Sequence, residues 1–514
     1  MQVTSLPLLS MLVAVPALGA VALWWVRAPE RARQWTVGVT ALTLALAGVV
    51  LGFFRTGAAG PQWVDAWGQV PGLGLELQLG VDGASVVALC LTALLTLGLV
   101  AAGPRQLLER RTLAVLLLTE SATLGFFCAQ DLALLTAFWV ATLVPAWVLV
   151  SRNARAQPES RALLTFRTYM LAGTLPLLLV TALVGVLGWR SGVQAPWELA
   201  GLAARGVPGS WQPVVFGLLL LTACVRMAVV PFHSWLPVLM ARGPFGLSLL
   251  LVNVHAGLFL LVRVVIPLVP EAWAAGGTMV VVVGLFGGLY GAVLALAQVD
   301  LRRTVGFLMV SQSGLMLAGL ATMNEQSVAG VLLQSVATGV ALTGLKLVVE
   351  VLGARTGTTD MTRLGGLVRK APRMAAFFFL LSFASLGFPG TLSFVGEDLL
   401  LHGVLEAHPL VALPLLLTTA ISAITLFRAF QKTFLGGVAP EQKLLLETVE
   451  DLLPRERVAA LGLFALVFVG GLLPGPLLRV REHAVDTMVE RVAAVRVHGF
   501  RWASFSSTSS ASSR

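Results

Sequence analysis

"ACVRMAVVPFHSWLPVLMARGP", residues 223–244, places Arg226 inside an apolar run and then sets two prolines around His233. No acidic residue in this stretch could neutralise the arginine, which stays charged at any accessible pH. A charge in hydrocarbon costs at least ~2.5 kcal/mol, so an intramembrane arginine is by default a functional-site hypothesis. Pro231 and Pro237 interrupt helical hydrogen bonding. The stretch therefore predicts a broken membrane helix beside a polar site.

The composition of the whole chain is that of a membrane protein. Of its 514 residues, 57% are hydrophobic and only 12% are charged, and the mean hydropathy is +0.88. Soluble domains contain about 25% charged residues. Apolar runs of ~20 residues, the length that crosses a bilayer core, recur from end to end. We therefore predict an all-α polytopic membrane protein with about 14 transmembrane helices.

The expected spans follow the apolar runs and are numbered one to fourteen. They are 5–26, 34–54, 84–103, 112–129, 131–151, 163–188, 211–236, 244–269, 274–297, 303–321, 327–353, 374–401, 409–430 and 456–475.

Lysine and arginine are distributed unevenly between the connections. Of the 35, 23 lie in or at the ends of connections that follow odd-numbered spans, 3 lie in connections that follow even-numbered spans, 3 lie inside spans and 6 lie in the tail. Positive loops mark the cytoplasmic side, so we expect a multi-pass protein of a bacterial inner membrane with a periplasmic N-terminus and a periplasmic C-terminus. The net charge of +10 is explained by this topology and by anionic lipid head groups rather than by nucleic acid.

A second interrupted span lies five spans after the first. "ASLGFPGTLSFVGED", residues 384–398, places Gly387 and Pro389 just before Glu397. Broken helices at membrane depth occur where water or protein satisfies the freed backbone groups, and they recur in corresponding halves of transporters. Breaks in spans seven and twelve therefore predict two inverted five-helix repeats, spans 4–8 and 9–13.

Several ionisable side chains remain inside the expected spans. Lys346 and Glu350 are four residues apart on one helix, so each can neutralise the other. Two interpretations are open: static polar contacts between helices, or a lateral chain of titratable groups and waters at mid-membrane depth. The proton-path candidates are Arg226, His255, Lys346, Glu350 and Glu397, with Glu120, Asp131, His233, Gln312, Thr338, Pro231 and Pro389 in supporting places.

An ordered set of motifs resembles the antiporter-like membrane subunits of respiratory complex I. The motifs are "PFHSWLP", "HAGLFLLVR", "QVDLRRTVGFLMVSQSG", "RLGGL" and "LGFPGTLSFVGE". The resemblance extends from about residue 80 to 430, and the family also includes Mrp cation/proton antiporters. It implies fourteen spans with two inverted repeats, and an acidic residue after "FVGE" resembles subunit M. It also implies that the chain has no redox cofactor, since NADH, FMN, Fe–S clusters and quinone would belong to partner subunits.

The sequence departs from this family at several positions that the resemblance marks as titratable. Val140 stands where a glutamate is expected, and Arg226 stands for a lysine. An arginine cannot release its proton as a desolvated lysine can. Glu397 alone keeps the expected residue type. We therefore expect the N-terminal half-channel to have lost its switch.

The C-terminal half also differs from the family pattern. His255 falls on a lysine of subunit M, while Gln312 and Thr338 replace two histidines. Lys346 and Glu350 are additions, which either rebuild a relay or form a locked ion pair. Asp131 and His233 match family positions at span ends and are interpreted as structural or access residues.

The sequence favours a proton-translocating membrane-arm subunit, of the M type, in a complex I-like NADH:quinone oxidoreductase, with other membrane subunits as partners. The alternatives are a subunit of an Mrp-type antiporter, membrane-bound hydrogenase or inorganic-carbon uptake system, and a non-pumping structural subunit. We divide the chain into N-terminal helices 1–103, an antiporter-like core 104–430, a loop and last span 431–478, and a basic, Ser-rich, partly disordered tail 479–514.

Overall fold

The computed structural model describes residues 7–58, 60–70, 74–156, 161–252, 255–437 and 449–509. Helices make up most of these ranges. The first elements are α1 Leu8–Ala22, α2 Pro29–Gly52, β1 Gln62–Val70, β2 Leu75–Val81, α3 Ser85–Ala102, α4 Arg110–Cys128, α5 Leu132–Ala156, α6 Arg161–Arg190, α7 Leu199–Arg205, α8 Gln212–Met227 and α9 Trp235–Arg242. They continue with α10 Leu247–Val252, α11 Ala256–Leu260, α12 Ile266–Leu268, α13 Pro270–Ala297, α14 Leu301–Thr322, α15 Glu325–Thr356, α16 Pro372–Ser385, α17 Leu392–Ala407, α18 Pro409–Phe430, α19 Pro454–Leu472 and α20 Gly475–Ser509.

The helical class and the membrane character are confirmed. Within the described ranges, nine helices are long and apolar enough to cross a bilayer, or ten if the bent pair α19 and α20 is one span. Four shorter apolar helices of 10–17 residues accompany them. Large apolar side chains such as Leu410 and Val458 are exposed on the outside of the bundle, as expected where lipid is the solvent. The count of fourteen and the inverted repeats stay predictions.

Spans seven and twelve are interrupted where the sequence predicts. Between α8 and α9 the chain turns over residues 228–234, a segment that contains Pro231. Between α16 and α17 it turns over residues 386–391, a segment that contains Pro389. Gly387 and Gly390 have φ values of +67° and +90° in the second turn, a region that side chains with a Cβ rarely adopt.

Span eight also departs from a regular α-helix, which the sequence did not predict. Its described part consists of α10, α11, a π-helical segment Leu261–Val265 and α12. His255 precedes α11 with a φ of +52°, so its backbone is left-handed rather than helical. Single π-helical turns are frequent at functional sites. No proline lies between residues 245 and 266, so this irregularity has no proline signal in the sequence.

A β-hairpin, β1 and β2, is an exception to the all-α prediction. The two strands pair antiparallel from Gln62 opposite Val81 to Val70 opposite Leu75, with two register shifts. Both the Ser10 amide and its hydroxyl donate to Asp65 of β1, at 2.8 and 2.9 Å. These bonds hold the hairpin against α1. The sequence "LELQLGV" of β2 does alternate apolar and polar residues, a strand signal.

The tail contains a long helix, α20, as far as Ser509, and residues 510–514 of the Ser-rich end lie outside the described residues. It is bent by 71° from α19, and its contacts are with α12, α13 and α15. Val485, Met488 and Val492 are buried along one face, at the spacing of an amphipathic helix. Burial of this apolar face accounts for the order of the segment. We call the end of the bundle that holds α20 the tail-helix end.

Helices α14 and α15 are enclosed by the rest of the bundle, and α13 packs against α14. The apolar window of α14 is 100% buried and that of α15 is 94% buried. Gly288 of α13 faces Gly314 of α14, and a Cβ at Gly314 would overlap the backbone of Gly288. Small residues let membrane helices approach this closely. Polar side chains on α14 and α15 are therefore enclosed by protein rather than by lipid.

Candidate functional site

The polar side chains of the C-terminal half converge on the enclosed helix α15. Gln334, Thr338, Lys346 and Glu350 all belong to this helix, and each is less than 10% exposed. With a rise of 1.5 Å per residue, they extend along roughly 24 Å of it. Helix α15 is thus the element that positions most of the predicted site.

Glu397 lies in a group with two glutamines. Nε2 of Gln334 donates to the Glu397 carboxylate and to Oε1 of Gln312, both at 3.2 Å. Gln312 also hydrogen-bonds to Glu397. In the part of the chain that the structure describes, Glu397 forms no salt bridge. Its carboxylate is therefore held by neutral amides and can change its charge without breaking an ion pair.

The turn between α16 and α17 lies directly against this carboxylate. A Cβ at Gly387 would be 2.5 Å from Oε2 of Glu397, so a larger residue there would displace the carboxylate as well as strain a backbone of positive φ. Thr391 caps α17 by accepting the amide of Phe394. Pro389 lies in the same turn. The break thus fixes Glu397 near the start of α17.

His255 is attached to α15 one residue from Gln334. The imidazole hydrogen-bonds to the backbone carbonyl of Ser335. The side chain is 5% exposed, and its Nε2 has no described partner. His255 and Glu397 therefore contact consecutive residues of one helix, which brings together two predicted candidates from different spans.

Lys346 and Glu350 form the predicted ion pair, and the structure adds a third member. Nζ of Lys346 contacts Oε1 of Glu350, while Nη2 of Arg302 donates to Oε2 of Glu350 at 2.7 Å. Lys346 also donates to the carbonyl of Met240 at 3.1 Å. In the sequence, Arg302 lies in the connection before span ten, and a contact 48 residues away leaves no local signal. We call Arg302, Lys346 and Glu350 the α15 ion cluster.

Arg226 has no anionic partner among the described residues. Nη2 donates to the hydroxyl of Thr142 at 3.0 Å, and the guanidinium lies 5.1 Å from the ring centre of Trp139. Nε and Nη1 are buried without a partner in the described ranges. Both contacts come from α5, the helix that contains Val140. The cation is thus held by a hydroxyl and an aromatic face.

Two further candidates are buried without a described partner. Both carboxylate oxygens of Glu120 and the hydroxyl of Thr338 lack one within the ranges that the structure covers. Glu120 is fully enclosed. Buried polar groups are normally hydrogen-bonded to protein or water. These two positions are therefore candidate sites for bound water.

The candidates at helix ends have structural contacts. Asp131 accepts the backbone amides of Glu76, Ala133 and Leu134 at 2.8–3.3 Å, which joins β2 to the start of α5. The ring of His233 packs on that of Tyr290. Pro231 occupies the turn before α9. These contacts agree with the structural interpretation of Asp131 and His233.

The described contacts divide the candidates into separate groups. They are Arg226 with α5, His255 and Glu397 around residues 334–335, and the α15 ion cluster. Across the described ranges, no group of three or more His, Cys, Asp or Glu side chains could hold a metal ion. The titratable groups are thus separated from one another within the protein. Such an arrangement suits proton transfer through intervening water molecules.

Comparison with known proteins identifies the fold and the family. Residues 129–422 match the family model for the transmembrane part of the NADH:quinone oxidoreductase/Mrp antiporter family. The chain belongs to this family. Among its relatives, NADH-quinone oxidoreductase subunit M of Mycobacterium tuberculosis (strain CDC 1551 / Oshkosh) is 28% identical over 532 residues, covering 95% of each chain. NAD(P)H-quinone oxidoreductase chain 4 1 of Synechococcus sp. (strain JA-3-3Ab) is 30% identical, covering 95% of this chain and 93% of the relative.

Among solved structures, a chain of respiratory complex I from Thermus thermophilus with bound NADH resembles this antiporter-family chain closely. The TM-score is 0.84 at 28% identity, covering 94% of this chain and 99% of that chain. The similarity therefore extends well beyond the residues that the family model matches. The expected relationship to complex I membrane subunits is confirmed.

Proposed function

We propose that this chain is a proton-conducting membrane-arm subunit, of the M type, in a complex I-like NADH:quinone oxidoreductase. The observation that carries the proposal is the Glu397 group: a carboxylate beside a helix break, held by Gln312 and Gln334 and free of any described ion pair. The likeness to a complex I chain over 94% of the sequence supports the choice of host complex.

We assign proton movement to the C-terminal half of the chain. His255 and Glu397 contact consecutive residues of α15, and both are titratable. Water molecules would complete the connection, because glutamine amides such as Gln312 position a proton carrier but do not readily exchange a net proton. Proton occupancy of Glu397 would respond to nearby charge, since opposite and like charges shift the protonation of a carboxylate in opposite directions.

We assign a static role to the N-terminal half. Arg226 remains protonated at accessible pH, and Val140 cannot ionise. The cation is held by Thr142 and Trp139 in place of a carboxylate. This half would therefore hold a constant charge through the transport cycle.

The proposal places the protein in a bacterial inner membrane with a periplasmic N-terminus. Its partners would be other membrane subunits of the same complex. NADH, FMN, Fe–S clusters and quinone would be bound by partner subunits, with none in this chain. The uneven distribution of lysine and arginine between connections supports this orientation.

Glu397→Gln tests the function, because it preserves the shape and hydrogen bonding of the side chain but removes its titration. We expect the host complex to assemble normally and to move fewer protons per electron pair. Purified complex in vesicles, with a pH-sensitive dye and a parallel quinone-reduction assay, measures both quantities. Asp398→Asn, at the exposed neighbouring residue, is the matched control. Undiminished proton uptake in Glu397→Gln would favour a non-pumping structural subunit, and copurification with a cation antiporter assembly would favour the Mrp alternative.

A further inference from the structure

The α15 ion cluster connects the exposed end of α14 to the protein interior. Side-chain exposure falls from 28% at Arg302 to 7% at Glu350 and 3% at Lys346. Each of these residues contacts the next. The cluster is thus a short polar route that starts at the Arg302 end of the bundle and stops at the amine of Lys346.

Lys346 also completes the end of the half-helix α9. In an α-helix the carbonyl of Met240 would accept the amide of residue 244, but this residue is Pro244, which has no N–H. Lys346 donates to that carbonyl instead. A cation at a helix C-terminus is also favoured by the helix dipole. The lysine therefore contacts the broken span seven directly.

The cluster tolerates both protonation states of Lys346. When the lysine is charged, two cations share the Glu350 carboxylate. When the lysine is neutral, Arg302 still pairs with Glu350 at 2.7 Å, so no charge is left alone in the interior. The other charged neighbour, Asp300, is itself hydrogen-bonded to Thr359 at 2.6 Å. A locked pair would lack this property, because loss of the lysine proton would leave its carboxylate unpaired.

A small cavity adjoins the amine, and Arg302 is not among the residues that line it. It has a volume of about 10 Å³ and is lined by Lys346, Glu350, Met240, Gly243 and Leu249, among others. A polar cavity needs about this volume to hold one water. Leu249 belongs to α10, the part of span eight that precedes His255. The cavity therefore lies between the lysine and the irregular span that leads to His255.

We propose that Lys346 is a proton-carrying residue, loaded from the Arg302 end through Glu350 and discharged into the water-sized cavity beside α10. One proton enters from water at the Arg302 end and one leaves Lys346 on the cavity side, so the amine and the carboxylate return to their starting states. The proposal rests on the proposed function and extends it, by naming the residue that loads the C-terminal half. It also decides between relay and locked pair in favour of the relay.

Lys346→Arg separates charge from titration. An arginine keeps the cation and its hydrogen bonds to Glu350 and Met240, but it cannot release a proton. We expect the purified host complex to contain the variant subunit and to reduce quinone, while proton uptake per electron pair falls to the level of Glu397→Gln. Lys370→Arg, the same change at an exposed lysine, should leave proton uptake unchanged.

A second variant controls for the larger side-chain volume of arginine. Lys346→Gln is neutral and smaller, can still donate to Met240, and should also assemble and lose proton uptake. Full uptake in Lys346→Arg would overturn the proposal and return the cluster to a static role. If Glu397→Gln loses uptake in the same preparation, the proposed function stands without the Lys346 step. If neither Lys346→Arg nor Glu397→Gln loses proton uptake, the proposed function fails as well. Failure of both Lys346 variants to assemble would assign the lysine to folding and overturn the proposal.

Discussion

Arg226 and Lys346 are both buried cations beside the broken span seven, yet their surroundings differ. Arg226 contacts a hydroxyl and an indole, whereas Lys346 contacts a carboxylate that a second cation also holds. Arginine suits a fixed charge and lysine suits one that changes. The residue type at each position therefore agrees with the chemistry of its neighbours.

Arg226→Met should leave the stability of the protein nearly unchanged. A buried cation costs at least ~2.5 kcal/mol in a membrane interior. Its desolvated cation–π contact contributes about 2 kcal/mol and its hydrogen bond to Thr142 about 1.5 kcal/mol, so the net change on removing all three is a loss of about 1 kcal/mol. We expect an unfolding midpoint within a few degrees of the wild type, measured by thermal unfolding in detergent, and unchanged proton uptake. Arg242→Met, at an exposed arginine, is the control. A large loss of stability in Arg226→Met would reveal a carboxylate supplied by a partner subunit.

The sequence identified the charged residues of the site and the neutral Gln312, but not Gln334 or the distant Arg302. Glu397, His255, Lys346 and Glu350 were apparent because ionisable residues are rare in apolar runs. Gln334 was not, since a glutamine in a membrane helix is much less unusual. Its role depends on the close approach of α15 to Gly396 of α17, where a Cβ would lie 2.9 Å from the Gln334 side chain. Such an approach is a property of the packed molecule.

At the scale of elements, the two broken spans were predictable and the irregular span eight was not. Proline and glycine in the local sequence predict a break in a helix, as at Pro231 and Gly387. The left-handed backbone of His255 has no such local cause, because it accompanies the contact of the imidazole with α15. The hairpin and α20 had periodic signals in the sequence. These signals are weak beside the long apolar runs and the Ser-rich end of the chain.

Gly387→Ala should displace Glu397, and Gly390→Ala should not. Both positions have positive φ, so both variants strain the backbone by roughly 1–3 kcal/mol. Only the Cβ at residue 387 would meet the carboxylate, at 2.5 Å, because the nearest atom at residue 390 is 3.5 Å away on Phe468. We expect similar losses of thermal stability but a loss of proton uptake in Gly387→Ala alone, measured in vesicles. Equal proton uptake in the two variants would show that the turn does not position Glu397.

At the scale of the whole molecule, α20 connects the tail-helix end of the bundle to the enclosed helix α15. Arg481 of α20 is 5% exposed and donates to the carbonyl of Leu332 on α15. Arg491 donates to the carbonyl of Pro267 at 3.2 Å. The first of these contacts lies within one turn of the Gln334 and Ser335 contacts. The tail helix is thus connected to the same region of α15 as the candidate site.

Arg481→Met should loosen α15 near residue 332. We expect faster hydrogen exchange of the amides around residues 332–338 and a lower unfolding midpoint, because a charged hydrogen bond contributes about 1.5–3 kcal/mol. Hydrogen exchange with mass spectrometry in detergent measures the local effect. Arg479→Met, at an exposed residue two positions earlier, controls for the loss of charge. Identical exchange in both variants would mean that α20 does not restrain the enclosed helix α15.

Arg226, which has no anionic partner in the part of the chain that the structure describes, has a bioenergetic consequence for the host complex. On the proposed function, a half-channel with a constant charge lowers the number of ions moved for each pair of electrons. Moving one elementary charge against the membrane potential requires about 2.3 kcal/mol per 100 mV, so a smaller stoichiometry lowers the opposing load on every turnover. Such a complex moves fewer protons for each NADH that it oxidises. It yields less ATP for each NADH, but it continues to oxidise NADH at a membrane voltage that would stall a complex with more active channels.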